Sequence, residues 1–355
     1  MLAWWQGEIV DRVVMCVTAP KDPGQSPRVA PGHRAPANTP DLERWWTHSP
    51  IVLARWLAEM ENTFFGGEAV PHIWLDFGPS IISAYLGCPM HFATDTTWQD
   101  PILDDWSEPL PTFNPADVWW QRTMRLLQAG LEMSRGRYFM GFSDFGGPGD
   151  TLAHLRGAQA LCTDLIDRPE YVRHAEALYS ALWQYLFQVQ YVTMRRYQQG
   201  SIGWMGVWAP GSTFPLQCDF SAMVSPAMFR AFFLPHLEAQ ARLVEYPIYH
   251  LDGPGALPHL DAILEIPEIR AIQWQPGAGA MPVTRWMDVL KRIQAAGKGL
   301  YIDIAHTDAE IEYLINELNP AGLLFRTGRS TPAEAQDLLR KVEKWTARRN
   351  RVFPA

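Results

Sequence analysis

Short β-rich runs alternate with longer helical stretches along most of this chain, and that alternation constrains the fold more than any single motif. Eight such runs stand out: Arg12–Thr18, His72–Phe77, Tyr138–Ser143, Ile202–Trp208, Pro247–Leu251, Ala271–Gln275, Leu300–Ala305 and Gly322–Thr327. Helix-like segments lie between them, including Asp41–Phe65, Pro115–Ser134, Leu152–Asp167, Pro169–Gln199, Pro226–Glu245, Val283–Ala296, Asp308–Leu318 and Pro332–Trp345. Several begin with a capping residue followed by proline at the first helical position, as in Asn114-Pro115, Ser225-Pro226 and Thr331-Pro332. Eight strands alternating with helices predict an α/β (β/α)8 barrel of the TIM type, built as one domain over residues 1–355. A doubly wound open sheet is the competing architecture, but no GxGxxG follows the first strand to support its dinucleotide-binding form. Two long loops, Ala19–Pro40 and Pro89–Asn114, are placed to cover the mouth of a barrel.

In a barrel the active site forms at the C-terminal ends of the strands. The fifth run ends in YHLDGPG, where His250 and Asp252 share one strand face just before a Gly/Pro turn. An imidazole beside a carboxylate can bind a metal, move a proton or hold a polar substrate. The plainer alternative is a buried histidine that orients the turn. Asp76 closes an apolar run before Gly78-Pro79, where partial desolvation would raise its pKa and suit it to acid catalysis, the alternative being a helix N-cap or turn acceptor. Asp144 has the same character, whereas Asp219 reads more as a turn acceptor. Trp208, Gln217, Trp274, Gln275 and Arg326 fall at or near other strand ends and are expected to contact substrate. His306 is a further candidate metal ligand, or only the approach to a helix cap. The glycine-rich FGGPGDT stretch suggests backbone passing close to a ligand.

Composition narrows the alternatives. A net charge of −8 without a basic stripe argues against nucleic acid as a partner. No uncharged apolar run reaches the ~18 residues of a membrane helix, and the N-terminus lacks signal-peptide order, so a cytoplasmic protein without a membrane partner is expected. Four scattered cysteines without CxxC indicate neither a disulfide framework nor a thiolate zinc cluster. GxSxG and HExxH are absent, which leaves classical serine-hydrolase and zincin chemistry unsupported.

Five segments, in order, resemble the uroporphyrinogen decarboxylase superfamily: Ile73–Gly87, Met140–Gly157, Gln217–Pro235, Tyr249–Leu260 and Gly322–Leu339. The resemblance implies a distorted (β/α)8 barrel. It also implies one of two chemistries. One branch decarboxylates uroporphyrinogen without a cofactor through an essential Asp, to which Asp76 corresponds. The other transfers methyl groups to or from corrinoid proteins and binds zinc through a His-x-Cys pair and a later Cys. Here His250 matches that His, Asp252 stands in place of the first Cys, and Phe325-Arg326-Thr327-Gly328-Arg329 lacks the second. The nearest similarity is to the corrinoid-methyltransferase-like members.

The expected activity is therefore methyl transfer from a small methylated molecule to a corrinoid held on a partner protein, since no DxHxxG cobalamin motif occurs in this chain. Asp76, Asp144, His250 and Asp252 would be catalytic. His250, Asp252 and His306 would bind a metal, with zinc the expected ion. Decarboxylation of uroporphyrinogen or a smaller carboxylate is the alternative, and a non-catalytic tetrapyrrole or corrinoid carrier is the third reading. A homodimer is the default expectation for any oligomer.

Overall fold

The computed structural model describes residues 1–21, 35–36, 38–277, 279–303 and 307–352. Most of the Ala19–Pro40 loop and all of His306 lie outside the described residues. The chain is a mixed α/β fold around a parallel sheet. Besides two short antiparallel pairs, Met90–Phe92 with Thr97–Gln99 and Ser201–Ile202 with Trp208–Ala209, its strands are β1 (Val14–Pro20), β2 (Thr63–Gly67), β3 (His72–Leu75), β4 (Phe139–Ser143), β5 (Thr213–Leu216), β6 (Tyr246–Asp252), β7 (Ala271–Gln275), β8 (Gly299–Asp303) and β9 (Leu323–Gly328). Seven of them form one sheet in the order β2-β1-β9-β8-β7-β6-β5, in which β2 alone is antiparallel. A parallel β3-β4 pair forms a second sheet. Eight strands thus make parallel pairings, as expected of a TIM-like fold.

The expected closed barrel differs in one respect. Among the described residues, no hydrogen-bonded ladder joins β4 to β5 or β3 to β1. Side chains serve instead at β4. Gln198 accepts from the Met140 N–H and donates to its carbonyl, each at 2.9 Å. Gln190 accepts from the Ser143 N–H at 3.1 Å and donates to Ser143 Oγ at 3.0 Å. These glutamines satisfy strand-edge groups that would otherwise be buried without partners. Phe142 and Phe145 then pack on Phe214 of β5 across the gap, with centroids 5.5 and 5.6 Å apart.

The expected fourth strand is also relocated. Ser201–Ile202 turns back to pair antiparallel with Trp208–Ala209. A turn with Gly206 at φ +71° separates them. The sheet strand is β5, whose Pro215 argues against a strand on sequence grounds. Proline is tolerated because β5 is the sheet's edge and pairs only with β6. The expected helix Asp41–Phe65 resolves into two helices, Thr39–Thr47 and α1 (Ser49–Glu61), followed by β2.

Helix α2 (Pro148–Arg156) starts at Gly147. Helix α3 (Pro169–Met194) has proline in its first turn and buries a stripe that includes Val172, Glu176, Tyr179, Trp183, Phe187 and Gln190. That spacing is the i, i+3/i+4, i+7 rhythm of a helix packed on a core. One large apolar cluster runs from Val13 to Val342. Among the described residues no helix is long and apolar enough to cross a membrane.

Candidate active site at the C-terminal ends of the strands

Strand β6 carries His250 and Asp252 two residues apart, so both face inward. The loop after β5 brings Asp219 to meet them. One potential ligand atom from each of Asp219, His250 and Asp252 lies within 4.8 Å of the other two. Asp219 therefore belongs to the cluster, contrary to its reading as a turn acceptor. Its position depends on the glycine-rich stretch. A Cβ on Gly147 would come within 2.3 Å of the Gln217 carbonyl, and one on Gly149 would press on Phe233 and Cys218. The glycines thus let α2 pack directly on the 217–219 backbone, rather than admit a ligand. Asp150 completes the clamp, accepting from the Gly147 N–H at 2.8 Å and the Phe220 N–H at 2.9 Å.

His250 has a defined second neighbour. Gln273, paired with it in register on β7, lies with Oε1 2.5 Å from His250 Nδ1. An amide oxygen can only accept, so Nδ1 carries the proton and Nε2 keeps its lone pair. Burial lowers the His250 pKa, opposed by Gln273, Asp252 and Asp150, which favours the neutral ring. Trp204 packs edge-on against the imidazole at 5.1 Å.

A row of acids extends from this cluster. Burial pushes Asp219 up to about 7, assisted by the negative charges of Asp144 and Asp252. Solvent reaches Asp219, yet protein surrounds it closely enough to penalise its charge. Asp144, after β4, is buried and rises to about 7 against the Gly146 N–H that it accepts at 2.9 Å. Asp76, after β3, is half-buried and rises to about 6, held back by the Gly78 N–H and Arg55. Asp150 is likewise pushed to about 7 by burial and by Asp219. Behind it, Glu176 is fully buried with neither carboxyl oxygen hydrogen-bonded to any described residue, and its pKa is raised well above the ordinary value.

Other expected contacts are distributed differently. Gln217 is buried and donates to Asp219 Oδ2 at 3.4 Å. Gln275 stands in register with Asp252. Trp274 faces the other side of β7, among the outer helices, and packs on Trp286 at 5.1 Å. The inward residue is Gln273, because strand neighbours alternate faces and Gln273 shares register with His250. Trp208 lies at the opposite end of the fold, against Phe139 at the start of β4, with its carbonyl bonded to Trp5. Arg326 is tied to Asp303 at 3.5 Å and to the Met205 carbonyl at 3.3 Å. Gln273, Asp150 and Glu176 carry no sequence signal beyond strand alternation and helix spacing.

Comparison with known protein families and with curated proteins finds no match. Among solved structures, the chain is similar to a methyltransferase from Methanosarcina mazei, with TM-score 0.61 and 17% identity over 99% of this chain and 97% of that one. At that identity the likeness establishes a shared fold.

Proposed function

We propose that this chain is a methyltransferase that holds a divalent metal ion through His250, Asp219 and Asp252. The methyl donor would be a small methylated molecule, and the acceptor a corrinoid carried by a partner protein. The observation that carries this reading is the convergence of three ligand atoms within 4.8 Å at the strand tips, with the imidazole held by Gln273. The structural likeness to a methyltransferase and the segment resemblance to corrinoid methyltransferases support it.

The donor set fits a metal. One neutral imidazole nitrogen and two carboxylates suit zinc, and equally the harder first-row ions. They do not reproduce a thiolate site, so an oxygen or nitrogen heteroatom on the substrate is the better match than sulfur. When bound, such an ion supplies a Lewis acid for the heteroatom that carries the methyl group. The chain's own residues do the rest. Gln273 orients His250. Gln217 steadies Asp219. Asp76 or Asp144, each protonated in part near neutrality, donates a proton to the leaving oxygen or nitrogen.

The test is metal analysis of the purified protein together with methyl transfer from methoxy- and methylamino-compounds to a free corrinoid reduced to Co(I), whose electron pair takes up the methyl group. The expected result is close to one metal per chain and turnover that stops on chelation. A metal-free protein that releases carbon dioxide from uroporphyrinogen would replace this reading with decarboxylation. Binding of a corrinoid or tetrapyrrole without any turnover would replace it with a carrier role.

A further inference from the structure

Beside Asp76 lies a cleft of about 460 Å³ lined by three tryptophans, one cation, Arg55, and two carboxyl groups, Glu59 and Asp76. Its size falls within the ~300–1,000 Å³ of small-molecule sites. Trp45 and Trp46 come from the Thr39–Thr47 helix, while Arg55, Trp56 and Glu59 come from α1. Arg55, Glu59 and Asn62 follow at four- and three-residue steps, so they present one helical face to the cleft.

Arg55 is the informative member. Its guanidinium stacks on Trp45, 3.4 Å from the ring centroid, and among the described residues donates once, to the Trp45 carbonyl at 3.3 Å. It forms no ion pair among the described residues, although Asp76 and Glu59 are near enough to influence it. A guanidinium has five N–H donors in a planar fork. Most of that capacity is unused here. The cleft thus offers flat apolar faces and a guanidinium fixed on one wall, with Glu59 and Asp76 on the others.

We propose that this cleft binds a planar aromatic carboxylate, the ring lying among Trp45, Trp46 and Trp56 and the carboxylate paired with Arg55. A bidentate guanidinium–carboxylate pair uses the free fork, and an aromatic ring fills the space between the indoles. A methylated ammonium ion, the other guest of an aromatic cage, would be drawn by Glu59 and Asp76, but Arg55 already occupies the Trp45 face it would need. Asp76 lines the same cleft, and through Asp144 the row of acids continues to Asp219. The assignment of this ligand as methyl donor rests on the methyl-transfer reading. The binding itself does not, because no metal ligand lines the cleft.

The experiment is calorimetric titration of the chelator-treated full chain with 4-methoxybenzoate and, separately, with tetramethylammonium. Saturable 4-methoxybenzoate binding is expected, weakened about 10–100-fold by Arg55→Met. Trp56→Leu should weaken it about 2–10-fold through loss of a ring wall. Circular dichroism verifies that each variant is folded. Binding of tetramethylammonium that tightens in Arg55→Met would overturn the proposal, as would 4-methoxybenzoate affinity indifferent to Arg55. Turnover of a non-aromatic methyl donor without any 4-methoxybenzoate binding would sink the proposal and leave methyl transfer standing. Binding without turnover would do the reverse.

Discussion

The two ends of the parallel strands treat their polar groups in opposite ways. At the N-terminal end, Lys298 is buried and donates to the carbonyls of Ile266 at 2.6 Å and Ile269 at 2.8 Å, with Pro267 at 3.5 Å. Trp4 and Trp5 close that floor, and each indole N–H reaches a carbonyl, of Gly322 and Trp208 respectively. At the C-terminal end, ligand atoms of Asp219, His250 and Asp252 converge within 4.8 Å, and Gln217 Oε1 and Ser221 Oγ have no hydrogen-bond partner among the described residues. Buried polar groups normally find partners. A floor whose polar groups bond to backbone carbonyls and a mouth that gathers carboxylates around an imidazole divide the molecule into two differently built ends.

That division is most easily broken at the metal cluster. His250→Ala removes its one nitrogen ligand, and should reduce both metal retention and turnover to background while the unfolding midpoint of the metal-free protein changes little. Gln273→Ala should lower metal affinity by about 10–100-fold, the usual range for a group that orients a histidine ligand. Equilibrium dialysis against zinc measures both. If either variant retained the wild-type stoichiometry and affinity, the metal would sit elsewhere.

Asp76→Asn comes next. Loss of a general acid costs roughly 10²–10⁴ in rate. Because the Asp76 acid form fades above a pKa of about 6, the wild-type rate should decline on the alkaline side of that value. The variant should lack that limb. An unchanged pH profile would move the proton donor to Asp144.

Much of this site can be read from the sequence, and the limits are physical. Alternation of strands and helices brings Asp76, Asp144, His250 and Asp252 to strand tips, because strand ends depend on local apolar runs. Trp274 illustrates the failure. In AIQWQ the largest apolar residue looks like a pocket wall, but the phase of a buried parallel strand is set by its neighbour, and only register with His250 shows that Gln273 faces inward. Asp219 is ambiguous for a related reason. Its place depends on packing between α2 and a loop about 70 residues away, which Gly147 permits. Strand β5 hides behind Pro215, whose missing N–H is harmless only at an edge that sequence cannot locate. Glu176 falls on a helical stripe otherwise apolar enough to make a charge there look like an interruption.

The floor yields a smaller effect of a different kind. Lys298→Met strips three backbone carbonyls of their donor and should lower stability by about 2 kcal/mol, with turnover per folded molecule unchanged. Urea unfolding and an activity assay corrected for folded fraction read the two quantities. A loss of turnover at full stability would mean that the floor takes part in catalysis, and the contrast between the ends would fail.

Glu176→Gln tests how far the unsatisfied zone reaches behind the mouth. The Glu176 carboxyl has no hydrogen-bond partner among the described residues, and burial followed by the charge of Asp150 raises its pKa well above 4.5. A carboxyl whose folded pKa exceeds its unfolded value contributes its stability in full below about 4.5. That contribution is lost as pH rises towards the folded pKa, at up to about 1.4 kcal/mol per pH unit. Glutamine keeps the shape and cannot ionise, so this pH dependence disappears from the variant. Between pH 5 and pH 8 the wild type should therefore lose stability relative to Glu176→Gln, by about 1 kcal/mol or more, with the gap smallest at pH 5. Urea unfolding at several pH values gives the slopes directly. Parallel slopes would mean that Glu176 ionises alike in the folded and unfolded chain, so that the protein accommodates its charge and the unsatisfied region stops at Asp150.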